Sequence, residues 1–446
     1  MPRSLWVATL VCVNAAWLLS AASDCRVWGQ TVPERLPPVR PTAPVAELPA
    51  PGPPPASRPA GPAGPAGPPA RWFAESYRGW FDDAPAWFNP FFAATPQPTG
   101  WLRVDYLNWR LRDAPLPTPL LTTSDVADAG RIAAPSTTVL YGGHSQNLGS
   151  FSGIRVSGGC WFTFNPWIGA EFSVFGLPGR ESHFQVASSQ TPHQLLALPF
   201  FNQTSGTAVS DSIVIAQPGG ATASAAAMLQ TSLWGIEGNA LRRRRRSFGR
   251  GGDELALLGG IRVIQLNERL DFSSSSSAAG GINRGDDIHT QSSFIGFQTG
   301  LRSLRQWGRF SFTATGKIGF GATNDLVTVA GHYNSIGFGS PQPSLLPNGN
   351  PTTTPADVSN NFLYAFSVVP EVQAMLSYDL LPRLRFSAGY DFLYWTRLIR
   401  PGDQIDTRAS LANAASALAA PIQPVPLDRH SDFWLRGWSV SLTYHY

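Results

Sequence analysis

Two Asp-x-His pairs are the residues of this sequence best suited to catalysis: Asp287-Ile288-His289 and Asp428-Arg429-His430. A carboxylate beside an imidazole orients the ring and strengthens it as a general base that can activate water. Both pairs fall in segments that we predict to be loops, where such spacings also arise by chance. We therefore expect a protein without enzymatic activity, and a hydrolase that uses these pairs remains the alternative.

The cysteines do not form a metal-binding or redox motif. Cys12, Cys25 and Cys160 are far apart, and neither a CxxC pair nor a Cys/His cluster is present. Such motifs are the sequence signals of zinc and redox sites. We expect no metal ion and no cofactor.

The run Arg242–Arg246 is the densest positive charge in the chain. In another setting it would suggest a nucleic-acid site. Residues 1–22 have the basic, apolar and small-residue regions of a signal peptide, and in an exported chain a solvated turn beside anionic lipid headgroups explains the run better. The carboxylates of peptidoglycan, or of another acidic envelope polymer, are the other partner that we consider, and we expect no nucleic acid.

The elements that must position these residues are β-strands, because apolar residues alternate with polar ones. At 310–323, Phe310, Phe312, Ile318 and Phe320 fall on one face, and Lys317 falls on the other. An amphipathic helix would instead repeat its apolar residues every three or four positions. The same alternation recurs at 366–378, 384–394 and 437–446.

The alternation covers ten predicted strands, at about 100–112, 150–164, 167–177, 227–241, 254–271, 291–302, 309–330, 365–378, 383–397 and 433–446. A further hairpin at 183–188 and 209–216 would make twelve. Connections after even-numbered strands are short and those after odd-numbered strands are long, as in an up-and-down barrel with short periplasmic turns. A sheet in lipid must close to pair its backbone groups. The fold class is thus all-β, a membrane-spanning antiparallel β-barrel.

Charged residues on the polar face of these strands should point into the barrel lumen. The set is Arg103, Asp105, Arg155, Glu171, Glu237, Arg262, Glu268, Arg302, Lys317, Glu371, Arg385 and Asp391. In a narrow barrel, opposite charges pair and fill the interior. A charged constriction that selects small solutes is the functional alternative. For Lys317, the predicted partner is Glu371 on the next strand.

The segments outside the barrel divide the chain further. Residues 1–22 have the basic, apolar and small-residue regions of a cleaved signal peptide. Residues 23–70 form a disordered Pro/Ala/Gly-rich spacer, which favours extended polyproline conformations. Residues 71–99 are rich in aromatics and suit a membrane-interface segment or a plug. The barrel occupies 100–446.

The C-terminal strand has the pattern expected of a signal for barrel assembly. Its lipid-facing residues are Trp438, Val440, Leu442, Tyr444 and Tyr446. We expect the outer-membrane insertion machinery to read this strand, and the protein to reside in the bacterial outer membrane, in contact with its lipid.

Several motifs, in this order, resemble the beta-barrel porins of family seven, a set of predicted outer-membrane proteins. They are Asp105–Trp109, Pro199–Asn202, Leu233–Asn239, Leu257–Arg262, Leu266–Glu268 and Gly389–Tyr394. The resemblance covers roughly 100–446 and implies the fold and the location. We expect a porin or an envelope structural protein with a narrow charged lumen. The alternatives are the surface hydrolase and an adhesion module that acts through long outer loops.

Overall fold

The computed structural model describes residues 99–191, 193–202, 208–246, 253–278, 281–335, 359–409 and 427–446. The strands in this part are β1 (Gly100–Leu111), β2 (Pro119–Thr123), β3 (Thr138–Gly142), β4 (Ser150–Phe162), β5 (Asn165–Ala187), β6 (Leu196–Asn202), β7 (Val209–Ala216), β8 (Ala223–Arg246), β9 (Asp253–Ser276), β10 (Ile282–Trp307), β11 (Phe310–Ser335), β12 (Ser359–Leu381), β13 (Leu384–Ile399), β14 (Arg408–Ala409) and β15 (His430–His445). The predictions for 1–98 lie outside the described residues. No helix in the described part is long and apolar enough to cross a membrane.

Ten of these strands close into one antiparallel barrel, in the order β1-β15-β13-β12-β11-β10-β9-β8-β5-β4. The predicted all-β, up-and-down barrel is confirmed, with ten strands. The twelve-strand alternative is wrong, because 183–188 continues β5 and 209–216 is β7 of a separate small sheet.

The barrel closes where the first strand meets the last. β1 pairs with β15 along its whole length, from Trp101 opposite His445 to Leu111 opposite Leu435. The backbone N–H of Tyr446 donates to the carbonyl of Gly100, and the N–H of Gly100 donates to the carbonyl of Tyr446, both at 3.0 Å. The seam therefore leaves no unpaired strand edge facing lipid.

The outward face of the barrel carries an apolar belt. Phe297 is 75% exposed and Trp438 is 66% exposed, and aliphatic residues such as Ile295, Val440 and Leu442 are exposed beside them. So many large apolar side chains in contact with water would be unfavourable, whereas lipid accommodates them. The belt is the membrane-spanning surface of the barrel.

The strands continue well past the apolar belt at the end where the long connections lie. On β10, the lipid-facing series ends at Ile295, and the next outward positions are Ser293, Gln291, His289 and Asp287. Cross-strand pairing persists there because backbone hydrogen bonds do not depend on the side chains facing lipid.

Two sequence predictions about loops are wrong, because the paired strands extend past the apolar belt at both ends of the barrel. Asp287 and His289 lie within β10 rather than in a loop, and the connection between β9 and β10 shrinks to 277–281. At the opposite end, Arg242–Arg246 continue β8 rather than forming a turn. The two-residue connections, such as the one between Phe162 and Asn165, all lie at this second end, which we call the turn end; the other is the loop end.

The long connections build a second, smaller sheet from β2, β3, β6, β7 and β14. Buried leucines of this sheet, Leu121 and Leu196, share one apolar core with inward-facing Phe272 and Ile288 of the barrel wall. Tyr141 of β3 stacks on the ring of Phe272, with centroids 6.5 Å apart. The small sheet therefore fills the loop end of the barrel interior.

Candidate functional site in the barrel interior

The structure places all twelve of the predicted lumen charges on the inner face of the barrel, where β-strand alternation directs them. Ten of them gather in three ion-pair clusters at the level of the apolar belt. Glu268 lies on the loop-end side of these clusters, and Arg385 lies on the turn-end side.

The central cluster joins four strands. Lys317 Nζ lies 2.7 Å from Glu237 Oε1 and 3.1 Å from Glu371 Oε1. Arg262 donates to Glu237 from Nε at 3.0 Å, and its guanidinium also bonds to Glu371. Gln298 Nε2 donates a further bond to Glu237 at 3.0 Å. Each carboxylate thus contacts both cations, and the predicted Lys317–Glu371 pair is one side of a four-membered ring.

A second cluster lies across the lumen on β1, β4 and β13. Arg155 bonds to Asp105 through Nε and to Asp391 through Nη1, the latter at 3.1 Å. Asp391 also accepts from Gln373 Nε2 at 2.6 Å, and Arg103 Nε lies 3.2 Å from Asp105 Oδ1. Asp105 and Asp391 are almost completely buried. Buried carboxylates need this degree of compensation to remain charged.

The third cluster lies nearer the turn end. Arg302 forms a bidentate pair with Glu171, through Nη1 at 2.7 Å and Nη2 at 2.9 Å. Asn239 Nδ2 donates to the same carboxylate at 3.3 Å. A bidentate guanidinium–carboxylate pair is among the stronger and more directional ion pairs. At the turn end itself, Arg385 Nε bonds to Asp379 Oδ1 at 2.6 Å.

The charges of the three clusters balance. The cations are Arg103, Arg155, Arg262, Arg302 and Lys317; the carboxylates are Asp105, Glu171, Glu237, Glu371 and Asp391. All of these side chains except Asp105 line one cavity, together with apolar residues such as Phe172 and Leu435. The interior at this level is a charge-neutral network of ion pairs.

Toward the loop end, an apolar layer crosses the lumen above the clusters. Its fully buried members include Leu107, Leu233, Phe294, Trp395 and Phe433. Layers of packed side chains are the usual filling of a narrow barrel.

Glu268, above the apolar layer, pairs with a residue that the sequence did not single out. Arg400 Nη2 lies 2.6 Å from Glu268 Oε1, and its Nε lies 2.7 Å from Oε2. Both residues are buried, and Arg400 directly follows β13. Beyond the last strand residue, period two no longer tells which way a side chain points. One signal for Arg400 was present in the sequence: an inward-facing carboxylate such as Glu268 requires a positively charged partner.

A family profile described as putative beta barrel porin-7 matches residues 101–446. The chain belongs to this family. The resemblance drawn from its motifs is confirmed, and with it the coarse assignment as an outer-membrane barrel protein. Comparison with the curated proteins finds no match.

Three solved structures illustrate what this chain is similar to. The outer membrane protease OmpT of Escherichia coli is 9% identical, with 79% of this chain and 99% of that one covered and a TM-score of 0.35. The toluene transporter TodX of P. putida is 8% identical, with 79% and 91% covered and a TM-score of 0.16. A Pseudomonas aeruginosa FadL homologue is 9% identical, with 78% and 90% covered and a TM-score of 0.19. Similarity this weak carries no argument about activity.

The two Asp-x-His pairs of the porin-7 barrel are not brought together. Asp287 and His289 face outward on β10, whereas Asp428 precedes β15 and His430 is its first residue. β11, β12 and β13 separate those two strands in the barrel order.

Asp287 belongs to a polar group on the outer wall. Arg269 Nη2 lies 2.7 Å from Asp287 Oδ2 and 3.0 Å from Asp271 Oδ1. Burial, and the negative charge of Asp287, raise the pKa of Asp271. Burial lowers the pKa of His289. Within the described residues, no three His, Cys, Asp or Glu side chains are arranged to hold a metal ion.

The five aromatic and aliphatic residues of the C-terminal pattern lie along β15 and its end. Trp438, Val440 and Leu442 are exposed on the outward face, and Tyr444 and Tyr446 are half-buried with their rings stacked 6.4 Å apart. They border the seam with β1.

Proposed function

We propose that this protein is a closed outer-membrane barrel with a structural role in the cell envelope, and that its lumen does not conduct solutes in the resting state. The observation that carries the proposal is the neutral network of ion pairs across the lumen. A solute passing this level would have to separate buried pairs, and leaving one buried charge without its partner costs about 3–5 kcal/mol.

Two further barriers support a closed state. The apolar layer that includes Phe294 and Trp395 lies above the clusters, and the small sheet occupies the loop end. Open porins instead keep a water-filled channel lined by polar residues. We propose export by a cleaved signal peptide, insertion by the outer-membrane assembly machinery, and no covalent chemistry.

Planar-bilayer conductance of the refolded full-length barrel tests this proposal. The wild-type protein should be nearly silent. Lys317→Ala should be silent as well, because the apolar layer and the small sheet still close the lumen above the ion-pair network. A steady ohmic conductance of the wild-type barrel would instead establish a porin.

A surface hydrolase is the second candidate. The observation that favours it is that Asp271 and Asp287 lie directly opposite each other across β9 and β10, beside His289 on the same face. Paired carboxylates near an imidazole can activate water. A peptide library incubated with the wild-type barrel and with His289→Ala tests this candidate; cleavage by the wild type alone would establish it.

A further inference from the structure

The arginine run on β8 is divided by strand alternation into two sets. Arg243 turns inward at the turn end of the barrel. Its guanidinium lies over the ring of Trp161, 4.4 Å from the centroid, and its Nε donates to the carbonyl of Pro166 at 2.6 Å. Glu254 lies 4.0 Å from its Nη1. This arginine is used within the protein.

Arg242 and Arg244 point the other way, toward the surroundings of the barrel, and both are exposed. Arg242 is in register with Leu257 of β9, which is 53% exposed in the apolar belt. Within the described part of the chain, neither arginine has an ion-pair partner. Two guanidinium groups thus stand at the edge of the lipid-facing surface, and none of the described residues forms an ion pair with them.

The neighbouring side chains mark this level as a membrane interface. Trp307 is 49% exposed at the turn end, and Ile168, directly opposite Arg242 on β5, is 37% exposed. The guanidinium of Arg305, also on the outward face, lies 5.2 Å over the ring of Trp307. Tryptophans concentrate where the hydrocarbon meets the headgroups. The arginines are therefore at the depth of lipid phosphates.

We propose that Arg242 and Arg244 bind the phosphate groups of anionic phospholipids in the leaflet at the turn end, which is the periplasmic leaflet in the predicted topology. Two residues apart on a strand, their Cα atoms are about 7 Å apart, so adjacent headgroups can each be reached. Guanidinium forks match phosphate oxygens bidentately, and anionic headgroups attract each basic residue near the surface. By binding headgroups, the same two residues fix the position of the barrel along the membrane normal.

Lipid selectivity measured by electron spin resonance tests the proposal. The full-length barrel is reconstituted in phosphatidylcholine vesicles with spin-labelled phosphatidylglycerol or spin-labelled phosphatidylcholine as the probe. The wild type should prefer phosphatidylglycerol, and the preference should fall roughly three- to fivefold for each of Arg242→Gln and Arg244→Gln. High salt should reduce it as well.

Arg243→Gln is the matched control, because it removes the same charge one residue away but from the inner face. It should leave the preference unchanged, and heat-modifiable mobility on gels checks that each variant is folded. Unchanged preference in the Arg242→Gln/Arg244→Gln barrel would overturn the proposal, as would an equal loss in Arg243→Gln. Reduced sedimentation with purified peptidoglycan, with lipid preference intact, would overturn it in favour of a cell-wall contact.

Discussion

At the scale of single residues, the interior is governed by shared ion pairs. Lys317 contacts both Glu237 and Glu371, and Arg262 contacts the same two carboxylates. Removing Lys317 therefore leaves Arg262 alone with two carboxylates. Removing Lys317 and Glu371 together leaves the neutral pair Arg262–Glu237.

A double-mutant cycle should show this coupling. We expect Lys317→Ala to lower the free energy of unfolding by about 3–5 kcal/mol, and Glu371→Ala to add little or to restore part of the loss. Urea unfolding of the barrel in lipid vesicles, followed by tryptophan fluorescence, measures the three variants. Strictly additive losses would mean that the two side chains do not interact.

His289 should make stability depend on pH on the acidic side. Its pKa is lowered in the folded barrel, chiefly by burial. As the pH falls below about 6.5, the unfolded chain therefore takes up a proton before the folded barrel does. The stability that neutral His289 contributes is lost as the pH falls from about 6.5 toward the folded-state pKa, and it is fully present above about pH 6.5. His289→Gln should reduce the difference in urea midpoint between pH 7.5 and pH 5.5. Equal differences in the wild type and in His289→Gln would contradict this.

At the scale of elements, the last strand closes the barrel. Tyr446 bonds to Gly100 through its backbone, and a Cβ on Gly100 would lie 2.6 Å from the Tyr446 ring. Deleting Tyr444–Tyr446 should therefore prevent assembly, because β1 would lose its partner at the seam. Outer-membrane fractionation and heat-modifiable mobility check this, with Tyr446→Phe as the control that keeps the ring. A normal folded barrel after the deletion would refute the assembly role.

The orientation of the strands can be read by labelling. With Cys12, Cys25 and Cys160 replaced, Ser275→Cys on β9 at the loop end should react with a membrane-impermeant maleimide on intact cells. Ser247→Cys, in the connection between β8 and β9, should react only after the outer membrane is permeabilised. The reverse pattern would mean that the turn end faces outward.

The elements that span the lipid were predictable because lipid on one side and packed side chains on the other enforce period two. The small sheet was not, since its strands come from Ser/Ala/Gly/Pro-rich connections whose leucines, such as Leu121 and Leu196, show no sustained period. The pair Lys317–Glu371 follows from register between neighbouring strands. The contact of Lys317 with Glu237, three strands away, depends on the curvature of the closed barrel, which a linear pattern does not contain.

At the scale of the whole molecule, the barrel is much taller than the membrane. β10 and β11 each have 26 residues, which is about 85 Å along the strand and roughly 65 Å along the barrel axis at a tilt near 40°. A lipid-facing band needs only about 25 Å. Most of the remaining height lies on the loop-end side, where outward positions such as Gln291 and Asp287 are polar.

That height has an immunological consequence. In the predicted topology, the cell surface presents the loop-end parts of β8, β9 and β10 as a hydrogen-bonded wall of paired strands, so their side chains are displayed in rows that cross all three strands. An antibody raised against a linear peptide from this region would meet only alternate residues of its target. Antibodies that recognise intact cells should instead be conformational, with footprints that cross strands and vanish on boiling.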